Sequence, residues 1–383
     1  MNSRFTAPVT IAFSSIFLLF NSCRKSDTNP SSQGGSSTVI ASPVMLDLIP
    51  AENVTSGIRR IFLPVSAVGG VKSGSLKLVF DSGSEGVLFS ATSLFSAAQI
   101  ADTGIVINSA DSAIISGITV TSAKVTSIYG DPPATRTFYG NIAYAPLTLG
   151  DQSGAVVTAR MPFILVYKGV DNQTGASVVL DDNSDGIAGV ISSGFNPASV
   201  NTLATSRSDI KSPFNYLTYT NGVNAGFMLS PLNATGWTTQ ASSAAGGAMP
   251  LLTIGLTDQL KSGFALQVQR LDIGNLFDPD ILGTVTYNGT SILNTNTLLD
   301  TGTPIGFTIY NASENGSAIL ASNEPVQLTT AEGFSYNYTS DAALFQTSVQ
   351  STGQPRSIFG IDFFLNNSFL WDYTDHLIGL KNQ

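Results

Sequence analysis

The sequence of 383 residues contains a single cysteine and a single histidine, and only 11% of its residues are charged. One cysteine and one histidine cannot supply the ligands of a cysteine and histidine zinc site. A catalytic system built on histidine would have to use His376, which lies in a predicted terminal hairpin without a nucleophile motif nearby. Carboxylates therefore remain as the groups available for acid–base chemistry.

Positive charge is also scarce. The chain has 17 Lys and Arg against 26 Asp and Glu, a net charge of -9, and the region after the N-terminus has no basic cluster. We therefore expect no nucleic-acid partner. Abundant Gly, Ser, Thr and Asn are typical of a secreted, β-rich protein with many turns. The length is sufficient for two modest lobes, each with its own core.

The apolar stretch at the N-terminus is short. Residues 1–22, with their apolar segment 7–20, predict a signal peptide rather than a transmembrane helix. The only cysteine, Cys23, stands where a bacterial lipoprotein is cleaved and lipidated, although Phe20 and Asn21 are not the preferred residues before it. An ordinary signal peptide with an incidental cysteine is the alternative. We expect lipidation, because a lone thiol in a secreted protein needs an explanation.

These features predict the location and the domain boundaries. A lipid anchor and a flexible, Ser/Gly-rich tether are expected over residues 23–50. An N-terminal β lobe is expected over residues 51–220 and a C-terminal β lobe over residues 221–383. We expect a monomer anchored in the bacterial cell envelope, on the periplasmic or outer-surface side, or a secreted protein if the cysteine is not lipidated. Pro197 also predicts a short helix over residues 196–208.

One short motif occurs twice, and each copy follows an apolar run typical of a buried strand. The first copy reads Asp81, Ser82, Gly83 and Ser84. The second copy reads Asp300, Thr301, Gly302 and Thr303. A single copy predicts no more than a turn, since Asp, Ser and Gly are ordinary turn residues. Two copies, each with a hydroxyl on both sides of the glycine, predict two related lobes that each present one aspartate.

With this duplication the sequence resembles the pepsin-like aspartic proteases. Residues 185–190 resemble the segment that crosses behind the first catalytic loop in that family, and residues 358–364 resemble its second-lobe partner. The tail, residues 369–380, resembles the closing hairpin of the family. Together these segments cover roughly residues 57–383. The resemblance implies an all-β, bilobal fold with the active site in the cleft between two related lobes.

The resemblance also implies a reaction. Asp81 and Asp300 would meet at the bottom of the cleft, share one proton and activate a water for the hydrolysis of a peptide bond. Gly83 and Gly302 would let the two loops approach without a Cβ clash. The chain would then be an aspartic endopeptidase acting on a peptide or protein substrate. No metal and no cofactor is expected.

The hydroxyls of the two motifs have implied roles as well. Ser82 and Thr301 would hydrogen-bond across to the opposite loop. Ser84 and Thr303 would donate hydrogen bonds to the carboxylates from outside. Because donated hydrogen bonds favour an ionised carboxylate, we expect these two hydroxyls to move the activity optimum toward acidic pH.

A flap is the least specific part of the resemblance. In the family a hairpin with a Tyr-Gly pair covers the cleft, and Tyr129-Gly130 falls at a comparable place. A plain surface turn at the following Asp-Pro-Pro and the rival pair Tyr139-Gly140 are alternatives. Seven residues after its first catalytic aspartate the family often has a tryptophan that hydrogen-bonds the flap tyrosine. Leu88 stands there and cannot do so.

A calcium site is a weaker possibility. Residues 181–186 match the opening of a calcium-binding loop. Ser192 stands where the bidentate glutamate of such a loop belongs. We therefore favour a polar turn and expect no metal.

The sequence is also compatible with two other functions. One is a catalytically silent pepsin-fold binding protein on the cell surface, which the missing tryptophan favours and the two intact motifs oppose. The other is a glycosidase with two carboxylates, which would not need two duplicated loops. Cleavage of peptide bonds by the purified protein separates the protease from both.

Overall fold

Strands dominate the structure, which confirms the predicted all-β class. The computed structural model describes residues 36–383, except for residues 54–55, 110, 131–133, 151–154, 181–182, 193–199, 203–209, 234–236, 240–246, 272–276 and 344–345. The predicted signal peptide and Cys23 lie outside the described residues. None of the helices in the described ranges has the length and apolarity needed to cross a bilayer.

Strands occur along the whole described chain. The first group comprises β1 (Val39–Ile40), β2 (Val44–Asn53), β3 (Ile58–Val68), β4 (Val71–Ser90), β5 (Ile100–Ala101), β6 (Gly104–Ile105), β7 (Ser112–Ile115), β8 (Ile118–Tyr129), β9 (Arg136–Ala145), β10 (Leu147–Leu149), β11 (Val156–Val157), β12 (Met161–Asp171), β13 (Gly186–Ile191) and β14 (Val200–Thr202). The second group comprises β15 (Thr218–Tyr219), β16 (Asn224–Leu229), β17 (Thr238–Thr239), β18 (Met249–Leu256), β19 (Ala265–Val268), β20 (Ile281–Tyr287), β21 (Thr290–Leu299), β22 (Phe307–Tyr310), β23 (Ser317–Ile319), β24 (Pro325–Thr329), β25 (Ser335–Thr339), β26 (Thr347–Gln350), β27 (Ser357–Phe359), β28 (Asn367–Asp372) and β29 (Leu377–Asn382). The described helices are short: α1 (Ala91–Leu94), α2 (Asp258–Lys261) and the 3-10 segments Ala97–Gln99, Pro213–Tyr216 and Ile361–Leu365.

The apolar run before the first motif folds as the first arm of β4, which bends at Asp81. Both arms of β4 pair with β13, so that Gly186 lies opposite Leu78 of one arm and Phe89 of the other. A Cβ atom on Gly186 would lie 2.0 Å from the carbonyl oxygen of Leu88, so this crossing requires a glycine. Strand β13 therefore crosses between the arms of the first loop, as expected.

The second motif has the same surroundings in the C-terminal half. Strand β21 leads into it and pairs in parallel with β27, with Leu298 opposite Ile358. Strand β27 also pairs antiparallel with β22, with Phe359 opposite Phe307. It therefore lies between the strand before Asp300 and the strand after it, as β13 does in the first lobe. The two halves repeat one arrangement that presents one aspartate loop each.

All described residues belong to one compact unit, Gly35–Gln383. The two lobes are joined by strands that pair with both, because β2 pairs with β3 of the first lobe and with β18 of the second. Strands β28 and β29 form the predicted closing hairpin. Trp371 of β28 is 1% exposed, and its ring packs against Phe227 of the neighbouring strand β16.

Two local expectations are wrong. The tether predicted to reach residue 50 ends earlier, because Val44–Asn53 forms β2, with Leu46 and Leu48 buried. A helix was also expected over residues 196–208. Of these residues, Val200–Thr202 forms the strand β14, which pairs with β8, and the others lie outside the described residues. In both cases pairing with a distant strand decides the conformation, and the local sequence does not report it.

Candidate active site

The first aspartate is held by its own loop. The backbone N–H of Gly83 donates to Oδ1 of Asp81 at 2.8 Å. The hydroxyl of Ser84 donates to Oδ2 of Asp81 at 2.7 Å. Because both carboxylate oxygens accept a hydrogen bond, the orientation of this side chain is fixed before any substrate binds.

The second aspartate has the same two partners in its own loop. The backbone N–H of Gly302 donates to Oδ1 of Asp300 at 2.7 Å. The hydroxyl of Thr303 donates to Oδ2 of Asp300 at 2.7 Å. The two loops therefore present their carboxylates in matching geometry.

Buried hydrogen bonds tie the two loops together. The backbone N–H of Ser82 donates to Oγ1 of Thr301 at 2.9 Å, and the backbone N–H of Thr301 donates to Oγ of Ser82 at 2.9 Å. Each hydroxyl then donates to the opposite strand, Ser82 to the carbonyl of Leu299 and Thr301 to that of Phe80, both at 2.7 Å. Ser82 and Thr301 are fully buried. These bonds fix the distance between the lobes at this point.

The glycines of the motifs let each loop touch the opposite carboxylate. A Cβ atom on Gly83 would lie 2.5 Å from Oδ1 of Asp300. A Cβ atom on Gly302 would lie 2.4 Å from Oδ1 of Asp81. Both distances are far inside van der Waals contact, so any larger residue would push the two carboxylates apart.

The two carboxylates cannot both ionise easily. Burial, the charge of Asp300 and a hydrogen bond between the two side chains raise the pKa of Asp81 to about 8, while hydrogen bonds from Ser84 and Gly83 act in the opposite direction. The pair therefore retains one proton across the acidic and neutral range. A carboxylate and a carboxylic acid side by side can accept a proton and donate one in the same step.

The hairpin of β8 and β9 closes one side of a cavity of about 320 Å³ that both aspartates line. Tyr129 and Gly130, at the tip of this hairpin, also line the cavity. Tyr139 of the rival pair lies further back on β9, with its ring against Lys168, and does not line the cavity. Of the two candidate pairs, the structure therefore brings Tyr129-Gly130 to the aspartates.

Known structures share this architecture. A crystal structure of an aspartic proteinase from Irpex lacteus matches with a TM-score of 0.52 and 18% sequence identity, covering 89% of this chain and 97% of that one. Basic 7S globulin from soybean matches with a TM-score of 0.52 and 11% identity, covering 89% of this chain and 96% of that one. No protein-family model and no curated protein sequence matches the chain. The chain has a pepsin-like aspartic proteinase fold.

This finding confirms the bilobal fold class predicted from the two motifs. At these sequence identities the likeness is one of fold alone. One of the two structures is named a proteinase and the other a globulin. The chemical role of this chain therefore depends on its own side chains.

The hairpin tip departs from the pepsin-like pattern as the sequence indicated. Leu88, at the position of the missing tryptophan, is buried in a cluster with Phe138, and Tyr129 packs against that cluster. Burial and the negative charge of Asp81 raise the pKa of the Tyr129 hydroxyl. Interactions with the hydroxyls of Ser84 and Ser127 lower this pKa in part. The surroundings of Tyr129 are thus an apolar cluster and serine hydroxyls, one of which, that of Ser84, donates to Asp81.

Three charged residues at the cleft were not found from the sequence. Arg60 donates from Nη1 to the carbonyl of Gly302 in the second loop at 3.0 Å. Glu85, which is buried, and Arg356 both line the cavity. The place of Glu85 directly after the first motif was an available signal. Nothing local relates Arg60 or Arg356 to the loops, and Arg60 lies 242 residues from its partner in the sequence.

The remaining candidates lie apart from the carboxylates. His376 occupies the turn between β28 and β29, where its ring stacks on Phe277 with centroids 3.4 Å apart. Of the possible calcium loop, residues 181–182 lie outside the described residues, and Oδ2 of Asp185 accepts a hydrogen bond from the N–H of Lys77. Within the described part of the chain, no group of three or more His, Cys, Asp or Glu side chains could hold a metal ion.

Proposed function

We propose that this protein is an aspartic endopeptidase that hydrolyses peptide bonds with a water activated between Asp81 and Asp300. The observation that carries the proposal is the pair of loops, each of which holds its own carboxylate by two hydrogen bonds and touches the other carboxylate through a glycine. A protein without turnover has no need for two carboxylates that are costly to bury together.

The proposed reaction proceeds by proton exchange within the pair. The ionised carboxylate takes a proton from the bound water as its oxygen attacks the scissile carbonyl carbon, and the protonated carboxylate donates its proton to the carbonyl oxygen. The resulting neutral tetrahedral intermediate has two hydroxyls. It collapses when one hydroxyl gives its proton to the carboxylate that is now ionised, while the leaving nitrogen takes a proton from the carboxyl group that is now protonated. The products are a carboxylic acid and an amine, and the pair again holds one proton.

The substrate proposed is a peptide segment in extended conformation. The hairpin of β8 and β9 offers Tyr129 and Gly130 at the edge of the cavity, where backbone hydrogen bonds to an extended chain can form. Ile128, Ile191, Leu298 and Ile358 give the same cavity an apolar lining. Shape and apolar burial, rather than a metal or a covalent bond to the protein, would then supply most of the binding.

Cleavage mapping tests the proposal. The purified full-length protein is incubated with an unfolded protein substrate between pH 3 and pH 8, and the products are identified by mass spectrometry. We expect new termini at a limited set of internal peptide bonds, with no need for added metal. Intact substrate at every pH would reject the endopeptidase.

A pepsin-fold binding protein is the second candidate. Leu88 at the position of the missing tryptophan favours it, and so does the fold shared with a protein named a globulin. A binding protein would hold the peptides without cleaving them. Retention of intact peptide by the wild-type protein, measured by calorimetry at the pH of the cleavage assay, would support this second candidate.

The pH dependence follows from the shared proton. With the pKa of Asp81 raised to about 8, the pair keeps its last proton below that pH and loses it above, so the rate should fall as the pH rises through about 8. The hydrogen bonds donated by Ser84 and Thr303, taken alone, predict an acidic optimum. Burial of the aspartates raises the pKa of Asp81 and so extends the expected active range toward neutral pH.

Thr303→Ala should move this profile. It removes the donor to Oδ2 of Asp300, which favours the ionised form, so the pKa values of the pair should rise. We expect both limbs to shift to higher pH by roughly half a unit to one unit, since one such hydrogen bond contributes about 1 kcal/mol. Thr308→Ala, whose hydroxyl bonds Ser348 instead, is the control. A shift toward acid in the Thr303 variant would contradict this role.

Lipidation of Cys23 is proposed as the membrane anchor of the enzyme. The support is a signal-like stretch that ends at the only cysteine in the chain. Wild-type protein is then expected in the membrane fraction of a bacterial host, with its mobility changed by the lipid. Cys23→Ser is expected to be released in soluble form or to remain unprocessed. Identical fractionation and migration of the two proteins would support plain secretion.

A further inference from the structure

Arg356 lies on the cleft face of the C-terminal lobe. It directly precedes β27, and Ile358, two residues later, lines the same cavity. Ile358 pairs with Leu298 of β21, which precedes Asp300 by two residues. All four residues line the same cavity. On this side of the cleft, the aliphatic side chains of Leu298 and Ile358 therefore lie near the guanidinium of Arg356 and the carboxylate of Asp300.

The guanidinium of Arg356 is incompletely paired. Its ion pair runs from Nη1 to Oδ1 of Asp280 at 3.5 Å, a long contact for a charged pair. Its Nε has no hydrogen-bond partner among the described residues. A guanidinium carries five N–H donors in a planar fork that matches a carboxylate. The side chain is 16% exposed and lines the cavity, so a ligand there can reach the outer part of a guanidinium that has only this one long ion pair.

We propose that Arg356 binds a substrate carboxylate, so that the enzyme prefers an acidic residue beside the scissile bond on the side of the C-terminal lobe. Glutamate suits the wall better than aspartate, because its longer methylene stem can cover Leu298 and Ile358 while its carboxylate reaches the guanidinium. This inference rests on the proposed function and specifies its substrate class.

The other charged groups of the cavity define where such a residue can lie. Glu85, Asp81 and Asp300 also line the cavity and would repel a substrate carboxylate, which leaves the Arg356 end as its place. Burial raises the pKa of Asp280 to about 6 despite the nearby Arg356. Below that pH Asp280 is protonated and leaves the charge of Arg356 free for the substrate, whose exposed glutamate is still ionised near pH 5.

Matched peptides test the preference. Two pairs of peptides carry either Glu or Gln immediately before or immediately after the scissile bond, and kcat/KM is measured at pH 5 to 6. We expect the wild type to favour Glu over Gln by about tenfold to a hundredfold in one of the two pairs, as a charge-assisted hydrogen bond would. Arg356→Gln should bring this ratio close to one, and Arg356→Lys should retain part of it.

The control is Arg160→Gln. The guanidinium of Arg160 lies over the ring of Tyr144, 4.7 Å from the ring centroid, and does not line the cleft cavity. Its Glu/Gln ratio should equal that of the wild type. Equal cleavage of Glu and Gln peptides by the wild type, or an unchanged ratio in Arg356→Gln, would overturn the inference.

A binding measurement separates this inference from the proposed function. Affinities of the same peptides are measured with the Asp300→Asn variant, which is expected not to cleave them. Tighter binding of one Glu peptide that Arg356→Gln removes supports the carboxylate site even if the wild type cleaves nothing. Equal affinities for Glu and Gln peptides reject the site, whatever the outcome of the cleavage assay.

Discussion

Asp81→Asn and Asp300→Asn are each expected to abolish peptide hydrolysis while the protein stays folded. The reason is that each carboxylate would exchange protons with the other during the reaction, and an amide can neither take up nor release the proton. We expect kcat/KM to fall by at least about 10³-fold, within the range that general acid–base groups contribute. Rates on one peptide at pH 5 give the measurement.

Stability should not follow activity in these variants. The oxygen of asparagine can still accept from the backbone N–H of the same loop, and the hydroxyl of Ser84 or Thr303 can turn to accept from the amide nitrogen. The substitution also removes one of two buried carboxylates whose proximity raises the pKa of Asp81. Their thermal unfolding midpoints are therefore expected to equal or exceed that of the wild type. Asp258→Asn changes a fully exposed carboxylate and should leave the rate unchanged. Substantial hydrolysis by either folded dyad variant would reject a shared pair.

Thr301→Val is expected to cost about 2–6 kcal/mol of unfolding free energy. The hydroxyl of Thr301 accepts from the N–H of Ser82 and donates to the carbonyl of Phe80, and valine leaves both buried groups unpaired at about 1–3 kcal/mol each. The loops would also lose their spacing, so kcat should drop by about tenfold to a hundredfold. Urea unfolding and steady-state kinetics measure the two effects.

Thr297→Val is the matched control for that substitution. Thr297 lies on β21, which leads into the second loop, and it is fully buried, yet its hydroxyl has no hydrogen-bond partner among the described residues. Replacing this hydroxyl by a methyl group should leave stability unchanged or raise it. Equal loss of stability in the two variants would mean that replacing any buried threonine by valine is destabilising here. The hydrogen bonds between the loops would then not explain the effect of Thr301→Val.

The sequence predicts the centre of this molecule well, because the centre is built from local patterns that occur twice. An apolar strand, a turn with Asp and Gly, and a hydroxyl on each side of the glycine specify Asp81, Asp300 and their immediate hydrogen bonds. The glycine-rich segment that forms β13 is also a short pattern, although the need for its glycine comes from the carbonyl of Leu88 on a strand distant in sequence. Each of these patterns can be read within a few positions of the sequence, even where the contact it makes is long-range.

What the sequence leaves out depends on long-range contacts. Strand β2 was predicted as tether because its pairing partners β3 and β18 could not be known from its own residues. Arg60 reaches the second loop from the first lobe, and Arg356 becomes part of the cleft only when β27 pairs with β21. Such pairings determine which charges border the carboxylates, and in the proposed enzyme they would set the specificity rather than the reaction.

The pepsin-like fold is shared by a protein named a proteinase and one named a globulin, so the central claim concerns turnover and not architecture. Active-site titration tests it most directly. The titrant is a peptide in which a non-cleavable, hydroxyl-bearing group replaces the scissile amide and mimics the tetrahedral intermediate. We predict that hydrolysis of a reporter peptide stops at one equivalent of titrant per protein molecule. Hydrolysis that persists at saturating titrant, or tight binding of titrant by a protein that never cleaves the reporter, would contradict an Asp81/Asp300 protease.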